Sequence, residues 1–284
     1  MEKSEFIVKK SSRLSKAIIN EVPFVSFALV QKSLRNKDVL INGKRVNKDC
    51  DVCVGDKITL FAKIERKITS FKTIYEDENV LVVFKNHKVE VARKDKSHSS
   101  SITREEMTGC TACHRLDRNT EGLVLLSKNE RATKEIKQAF KNRQINKFYT
   151  ALVFGSMEKE SEELHAFLLK DSENSLVKVN SSQGEEIITK YKVLERKEGM
   201  TVVEVELVTG KTHQIRAHMS YINHPVVGDE KYCFKEYKKQ AEFYAREFNG
   251  YALTSTKLTF NFNEGSYLSY LNKKVITCQP SWKV

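Results

Sequence analysis

From residue 202 to 208, apolar and acidic side chains alternate: Val203, Val205 and Leu207 face one way, Glu204 and Glu206 the other. A period of two marks a strand with one buried face. Two further stretches are apolar without interruption, residues 79–84 (Asn-Val-Leu-Val-Val-Phe) and residues 123–126 (Leu-Val-Leu-Leu). Both are consistent with strands buried in a core. Residues 130–142 place Ala132, Ile136, Ala139 and Phe140 at helical spacing, and residues 147–154 read as another strand. Gly210 ends the alternating run. Residues 212–222 can then form a helix with Ile215, Met219 and Ile222 inward, and His213, Arg216 and Ser220 on another face. Strands and helices do not alternate regularly, so this larger part of the chain is expected to be α+β, built on a mixed sheet.

Ahead of it, residues 12–61 read as a small αβ unit. Residues 13–19 have helical spacing through Leu14, Ala17 and Ile18. Ser26 is placed to cap a second helix to Arg35, with Phe27, Val30 and Leu34 as its apolar stripe. Residues 39–41 form a short strand, Asn42-Gly43 is a strong hairpin signal, and Lys44-Arg45-Val46 returns from it. A further strand follows Gly55-Asp56. Residues 62–72 are a polar, Lys-rich connector, and residues 93–109 read as a loop. The expected organisation is a small domain at 1–62, a linker at 63–73 and a large domain at 74–284.

Length and composition permit this: 284 residues and 40% hydrophobic content suffice for one large core and one small. The net charge is +12, and residues 1–70 hold 15 Lys and Arg against 8 Asp and Glu. The small domain therefore carries a large share of the excess, which points to a polyanionic partner or to a Lys-rich, soluble surface. No run is long and apolar enough to span a membrane, and residues 1–10 are too charged for a signal peptide, so a cytoplasmic protein is expected. Six cysteines make no disulfide framework. Cys50 and Cys53, and Cys110 and Cys113, form two C-x-x-C pairs too far apart for an ordinary shared zinc site. The second pair, followed by His114, also matches a haem attachment pattern that belongs with exported proteins. Inert thiols and no metal are the expectation.

The most informative stretch is His114-Arg-Leu-Asp-Arg-Asn-Thr-Glu-Gly-Leu-Val-Leu-Leu-Ser-Lys128. It sets Asp117 among His114, Arg115 and Arg118, just before an apolar strand. Nearby cations hold a carboxylate ionised, and Gly122 suggests a sharp turn. By pattern alone this is either a reactive carboxylate or a surface ion-pair cluster. The order of residues is more specific. The segment resembles the catalytic motif of the RluA-type pseudouridine synthases, including the large-subunit ribosomal enzymes RluC and RluD. Lys147-Phe-Tyr-Thr-Ala-Leu-Val153 resembles that family's tyrosine motif, and Leu207-Val-Thr-Gly-Lys-Thr-His-Gln-Ile-Arg-Ala-His218 its arginine motif, in the same chain order. His224-Pro225 and residues 228–232 also fit, so the resemblance runs from about residue 74 to at least 260. Residues 12–61 resemble a small RNA-binding domain named after a small-subunit ribosomal protein.

The resemblance implies conversion of uridine to pseudouridine in structured RNA, without cofactor or metal. Ribosomal RNA of the large subunit is the preferred substrate and transfer RNA an alternative. Asp117 would be the catalytic carboxylate, Arg216 its cationic partner and Tyr149 the ring that stacks on uracil and relays a proton. Ile215 would line the base pocket, while Arg115 and Arg118 would contact substrate RNA. Arg13, Lys32, Arg35, Lys44 and Arg45 would bind RNA from the small domain, and His213 with Thr212 would orient the loop before Arg216. The expected protein is a monomer. A competing reading is a non-catalytic RNA-binding or ribosome-assembly factor that keeps the fold. Three departures from the family pattern stand out: Glu121 where Ser is usual, Asn86-His87-Lys88 where Pro and Gly usually follow Lys85, and Lys211 for Arg. Glu121 would tune Asp117 or an RNA contact.

Overall fold

The structure is a computed structural model. It describes residues 2–22, 25, 27–62, 71–91, 102, 110–171 and 176–283. The chain divides into two compact units, Met1–Ile68 and Thr69–Val284.

The first unit opens with strand β1 (Glu2–Ile7), a short β2 (Ser12–Arg13) and helices α1 (Leu14–Glu21) and α2 (Phe27–Arg35). Strands β3 (Val39–Ile41), β4 (Lys44–Val46), β5 (Asp51–Val52) and β6 (Lys57–Ala62) follow. A four-stranded sheet runs β1-β6-β3-β4, and β2 pairs with β5. Asn42 and Gly43 both take positive φ, 49° and 81°, as a tight hairpin turn requires. Leu14, Ile18, Val30, Leu34, Val39, Ile58 and Leu60 close the core. Asp49 holds the start of α1, accepting from the Ser15 amide at 2.9 Å and its hydroxyl at 2.8 Å. Phe27 departs from its expected place in the apolar stripe: it is the first residue of α2, projects past the core and is 57% exposed. The proposed cap, Ser26, lies outside the described residues. Strand β1 was hidden in sequence by its alternating charges.

The second unit contains β7 (Phe71–Glu76), β8 (Val80–Lys85), β9 (Thr111–Ala112), β10 (Glu121–Ser127), α3 (Glu130–Lys141), β11 (Ile145–Phe154), β12 (Ser161–Asp171) and β13 (Leu176–Asn180). It continues with β14 (Glu185–Lys197), β15 (Met200–Leu207), α4 (Gln214–Tyr221), α5 (Lys238–Glu247), β16 (Leu253–Phe260) and β17 (Val275–Thr277). The strands form one mixed sheet ordered β13-β12-β14-β15-β11-β16-β10-β8-β7, with β17 beside β16 and β9 beside β10. β7 starts inside the stretch read as linker, and most of the loop read at 93–109 lies outside the described residues.

The two uninterrupted apolar runs are central strands covered on both faces. In β8 and β10, Leu81, Val83, Val124 and Leu126 enter one core cluster; Val80, Val82, Leu123 and Leu125 enter the opposite one. Helix α3 covers the second face through Ala132, Ile136 and Ala139, capped by Asn129, whose side chain accepts from the Ala132 amide at 2.8 Å. Ile215 and Met219 of α4 cover the first. Each such aliphatic side chain contributes about 1.5–3 kcal/mol on burial. Gly122 is not the sharp turn expected. It lies within β10 at φ +112°, where the strand meets β16 in a parallel pairing of two residues. A Cβ there would stand 2.3 Å from the Ser255 carbonyl oxygen, so the approach of the two backbones excludes any side chain. Among the described residues no helix is long and apolar enough to cross a membrane.

Candidate active site

The segment between β9 and β10 carries Asp117, and the half-buried His114 and the buried Lys85 hold it. His114 Nε2 accepts from the Leu125 amide of β10 at 2.9 Å. Burial, with the nearby Lys147 charge, pushes the His114 pKa down to about 3, so the imidazole is neutral and ties the loop to the sheet. Lys85, fully buried at the end of β8, donates to the carbonyls of Asn86, Val89 and Arg118 at 3.0, 2.8 and 3.1 Å. Its pKa is pushed down to about 7 by burial, against the opposing charges of Asp117 and Glu121.

Across the cavity, His213 adopts the left-handed conformation (φ 55°) and starts α4, which places Arg216 in the first turn. Arg216 Nη1 donates to Asp117 Oδ2 at 3.2 Å. Its other nitrogens make a two-pronged contact with Asp229: Nε to Oδ2 at 2.6 Å and Nη2 to Oδ1 at 2.9 Å. One guanidinium thus serves two carboxylates. The rings of Tyr232 and Tyr251 lie 4.9 and 4.5 Å from its centre. Burial works against its charge, but Asp229, Tyr251 and Asp117 together outweigh that and raise its pKa. The Tyr251 hydroxyl donates toward Asp117 Oδ2 at 3.5 Å and is 3.0 Å from Thr120 Oγ1. His213 Nδ1 sits 2.8 Å from the Tyr232 hydroxyl, and Nε2 is 3.7 Å from Asp117. Burial lowers the His213 pKa, so this longer contact is not an ion pair at neutral pH.

Asp117, Thr120, His114, His213 and Arg216 line a cavity of about 240 Å³ together with Arg115, Leu116, Lys147, Tyr149, Ile215 and Leu253. Tyr149 is buried, and burial next to the Asp117 charge raises its hydroxyl pKa, so it stays protonated. Of the candidate residues, Asp117, Tyr149, Arg216, Arg115 and Ile215 therefore meet in one cavity, with Arg115 exposed. Arg118 does not line it; its Nε donates to the Lys88 carbonyl at 3.3 Å. Arg13, Lys32, Arg35, Lys44 and Arg45 are all exposed on the first unit. Arg13 lies 3.9 Å from Asp49 and 3.7 Å from Asp51, and Arg45 donates to the Lys37 carbonyl at 2.6 Å.

The reading from sequence missed Lys85, Asp229 and Tyr251 as site residues, and it left Glu121 between tuning Asp117 and touching RNA. Glu121 is only 1% exposed, which excludes an RNA contact. It accepts from the Thr254 hydroxyl at 2.7 Å and from the Ser281 amide and hydroxyl at 2.8 and 2.6 Å. His87 Nε2 lies 3.2 Å from it, while His87 Nδ1 donates to the Asn119 carbonyl at 2.7 Å. Burial raises the Glu121 pKa, but His87, Ser281 and Thr254 reverse this and lower it. Two departures from the family pattern thus meet as a buried pair beneath the loop. The cysteines are free, and among the described residues no three His, Cys, Asp or Glu side chains gather as a metal site would need.

A family profile described as RNA pseudouridylate synthase matches residues 79–221. A Vibrio vulnificus protein named ribosomal large subunit pseudouridine synthase C is 30% identical over 240 residues, covering 78% of this chain and 76% of its own. A Vibrio parahaemolyticus protein named dual-specificity RNA pseudouridine synthase RluA is 35% identical over 191 residues, 63% of this chain and 76% of its own. The solved structure of human RNA pseudouridylate synthase domain containing 1 shares the fold at a TM-score of 0.56 and 23% identity, covering 75% of this chain and 91% of that one. The family match and the named relatives define an isomerase acting on RNA. The chain belongs to the RNA pseudouridylate synthase family, and within it to the RluC-like branch that converts uridine to pseudouridine.

Proposed function

We propose that the chain draws a uridine of large-subunit ribosomal RNA out of its stack into the cavity and isomerises it there, with Asp117 as the catalytic carboxylate. The observation that carries this reading is Asp117, 3.2 Å from the buried Arg216, in a cavity shared with Tyr149 and Ile215. The reaction breaks the bond between ribose C1′ and uracil N1 and joins C1′ to C5; the C5 proton leaves and exchanges with water, and N1 takes up a proton. Its cavity suits one pyrimidine nucleoside rather than a duplex, so extrusion of the base precedes chemistry. Asp117 serves as a nucleophile at the sugar or base, or as the base that starts elimination at the sugar. The Tyr149 ring stacks on uracil and its hydroxyl relays the departing proton. Ile215 packs against the base. Arg115, exposed at the cavity wall, holds phosphate or fills the gap that the flipped base leaves. The name of the Vibrio vulnificus protein supports ribosomal RNA as substrate. The chain is a cytoplasmic monomer that needs no cofactor.

The deciding experiment is tritium release from ribosomal RNA labelled at uridine C5, with labelled transfer RNA as a parallel arm. Native protein is expected to release tritium and Asp117→Asn to release none while still binding RNA. Release by Asp117→Asn sinks the assignment.

The organisation that goes with this reading is an RNA-binding domain at 1–62, a linker and a catalytic domain. Lys32, Arg35, Lys44 and Arg45 would contact phosphates. Replacing all four with Ala should raise KM and flatten its logarithmic salt slope by about one for each phosphate that is no longer bound. An unchanged salt dependence would remove the domain from RNA binding.

A further inference from the structure

Lys147 lies two residues before Tyr149 on β11. Alternation along the strand sends both side chains from the same face, and both line the cavity. The Lys147 ammonium stands 5.0 Å from the centre of the Phe140 ring and against the backbone of Gly210, where a Cβ would come within 3.2 Å of Nζ. The other buried or half-buried cations around the cavity have their charge or hydrogen bonds matched. Arg216 has Asp117 and Asp229, and Lys211 has Glu185 at 3.1 Å. Lys85, behind the loop, has three carbonyls. His114 beside it is neutral.

Lys147 differs: it has neither a carboxylate nor a hydrogen-bond acceptor among the described residues. Burial alone lowers its pKa, and no opposing group is present among them. A partly desolvated ammonium that meets a ring face but no anion or acceptor costs stability. Its presence makes physical sense if the anion arrives with the substrate, and RNA brings a phosphate with every nucleotide. Tyr149 and Ile215 are buried on the wall where the base packs, whereas Lys147 is only partly covered, in keeping with a place where the sugar-phosphate backbone passes.

We propose that Lys147 is the receptor for an RNA phosphate next to the flipped uridine, a contact that fixes the depth at which the nucleotide enters. This rests on the uridine chemistry proposed above. Lys147 acts on binding and the Asp117 chemistry acts on the base, so the two separate in kinetics.

The test compares full-length native protein with Lys147→Met and Lys147→Arg, using a large-subunit ribosomal RNA transcript labelled at uridine C5 and a series of salt concentrations. Lys147→Met is expected to raise KM about tenfold, keep kcat within about twofold and reduce the salt slope by about one. Its Tm should not fall, because an unmatched charge is removed. Lys147→Arg should restore both KM and slope. A loss of kcat at unchanged KM overturns the proposal and turns the ammonium toward the uracil oxygens. Unchanged KM and slope overturn it as well. If Lys147→Met does not fold, Lys147→Gln carries the same readings; failure of both to fold makes Lys147 a structural group and also overturns it. Silence of the native protein on the transcript counts against the proposed function instead. Filter binding of the same RNA to the same variants then reads Lys147 by itself: weaker binding with a flatter salt slope supports it, and native binding overturns it.

Discussion

Asp117 and Glu121 stand four residues apart and face opposite ways. Asp117 opens onto the cavity and meets Arg216 through one oxygen at 3.2 Å, with Tyr251 at the edge of hydrogen-bond range. Glu121 is sealed beneath the same loop, and Thr254, Ser281 and His87 surround its carboxylate. A carboxylate whose lone pairs are nearly all used is part of the frame. One with an oxygen left free in a cavity can react. On the function proposed above, the same residue chemistry serves stability on one side of the loop and the reaction on the other.

The largest expected effect breaks the comparison on the cavity side. Asp117→Asn should lower kcat by on the order of a thousandfold or more and leave the melting temperature close to native. Glu121→Ala should do the reverse. Removing one partner of a buried, hydrogen-bonded charge network costs about 3–5 kcal/mol, read as a lower urea midpoint, while kcat of the folded fraction changes far less. If both variants lose stability alike, the division between frame and reactive group is wrong.

A smaller effect sharpens it. Lys85 binds the underside of the loop through the Arg118 carbonyl, next to Asp117. Lys85→Met removes the ammonium donor from the Val89, Asn86 and Arg118 carbonyls and should cost about 1–3 kcal/mol. The pH dependence is the finest probe. Folded Lys85 releases its proton near pH 7, against the ordinary value of 10.5. Between these limits the unfolded chain holds more protons, so the residue's contribution to stability rises with pH from about 7 to about 10.5. Relative to Lys85→Met, the native protein should gain stability across that window. Parallel stability curves for the two proteins would refute the shift.

Much of the large unit was legible in sequence because its central strands are covered on both faces and must be apolar throughout. Val80, Val82, Leu123 and Leu125 have no polar neighbours within the strand to blur the pattern. The strands β12, β13 and β14 went unread. Ile187, Thr189, Tyr191 and Val193 do alternate inward, but Thr and Tyr dilute the apolar signal and the outward positions include Ile188 and Leu194 beside Lys190 and Lys192. Asp117, Tyr149 and Arg216 stood out through ordered motifs. Tyr251 could not, because its approach to Asp117 spans 134 residues and exists only once β16 has joined the sheet. Lys85 sat in plain view at the end of an apolar run, where a lysine reads as the solvent boundary. Only the three carbonyls that converge on its ammonium show that it points inward. Asp229 was noted as part of a pattern, but nothing in the pattern told that it shares Arg216 with Asp117.

That sharing has a consequence for repeated turnover. Asp229 grips Arg216 through two nitrogens and leaves Asp117 the third. On the function proposed above, the two-pronged contact with Asp229 holds the arginine while Asp117 takes part in the chemistry. On that reading, Arg216 does not need to be repositioned before the next RNA enters.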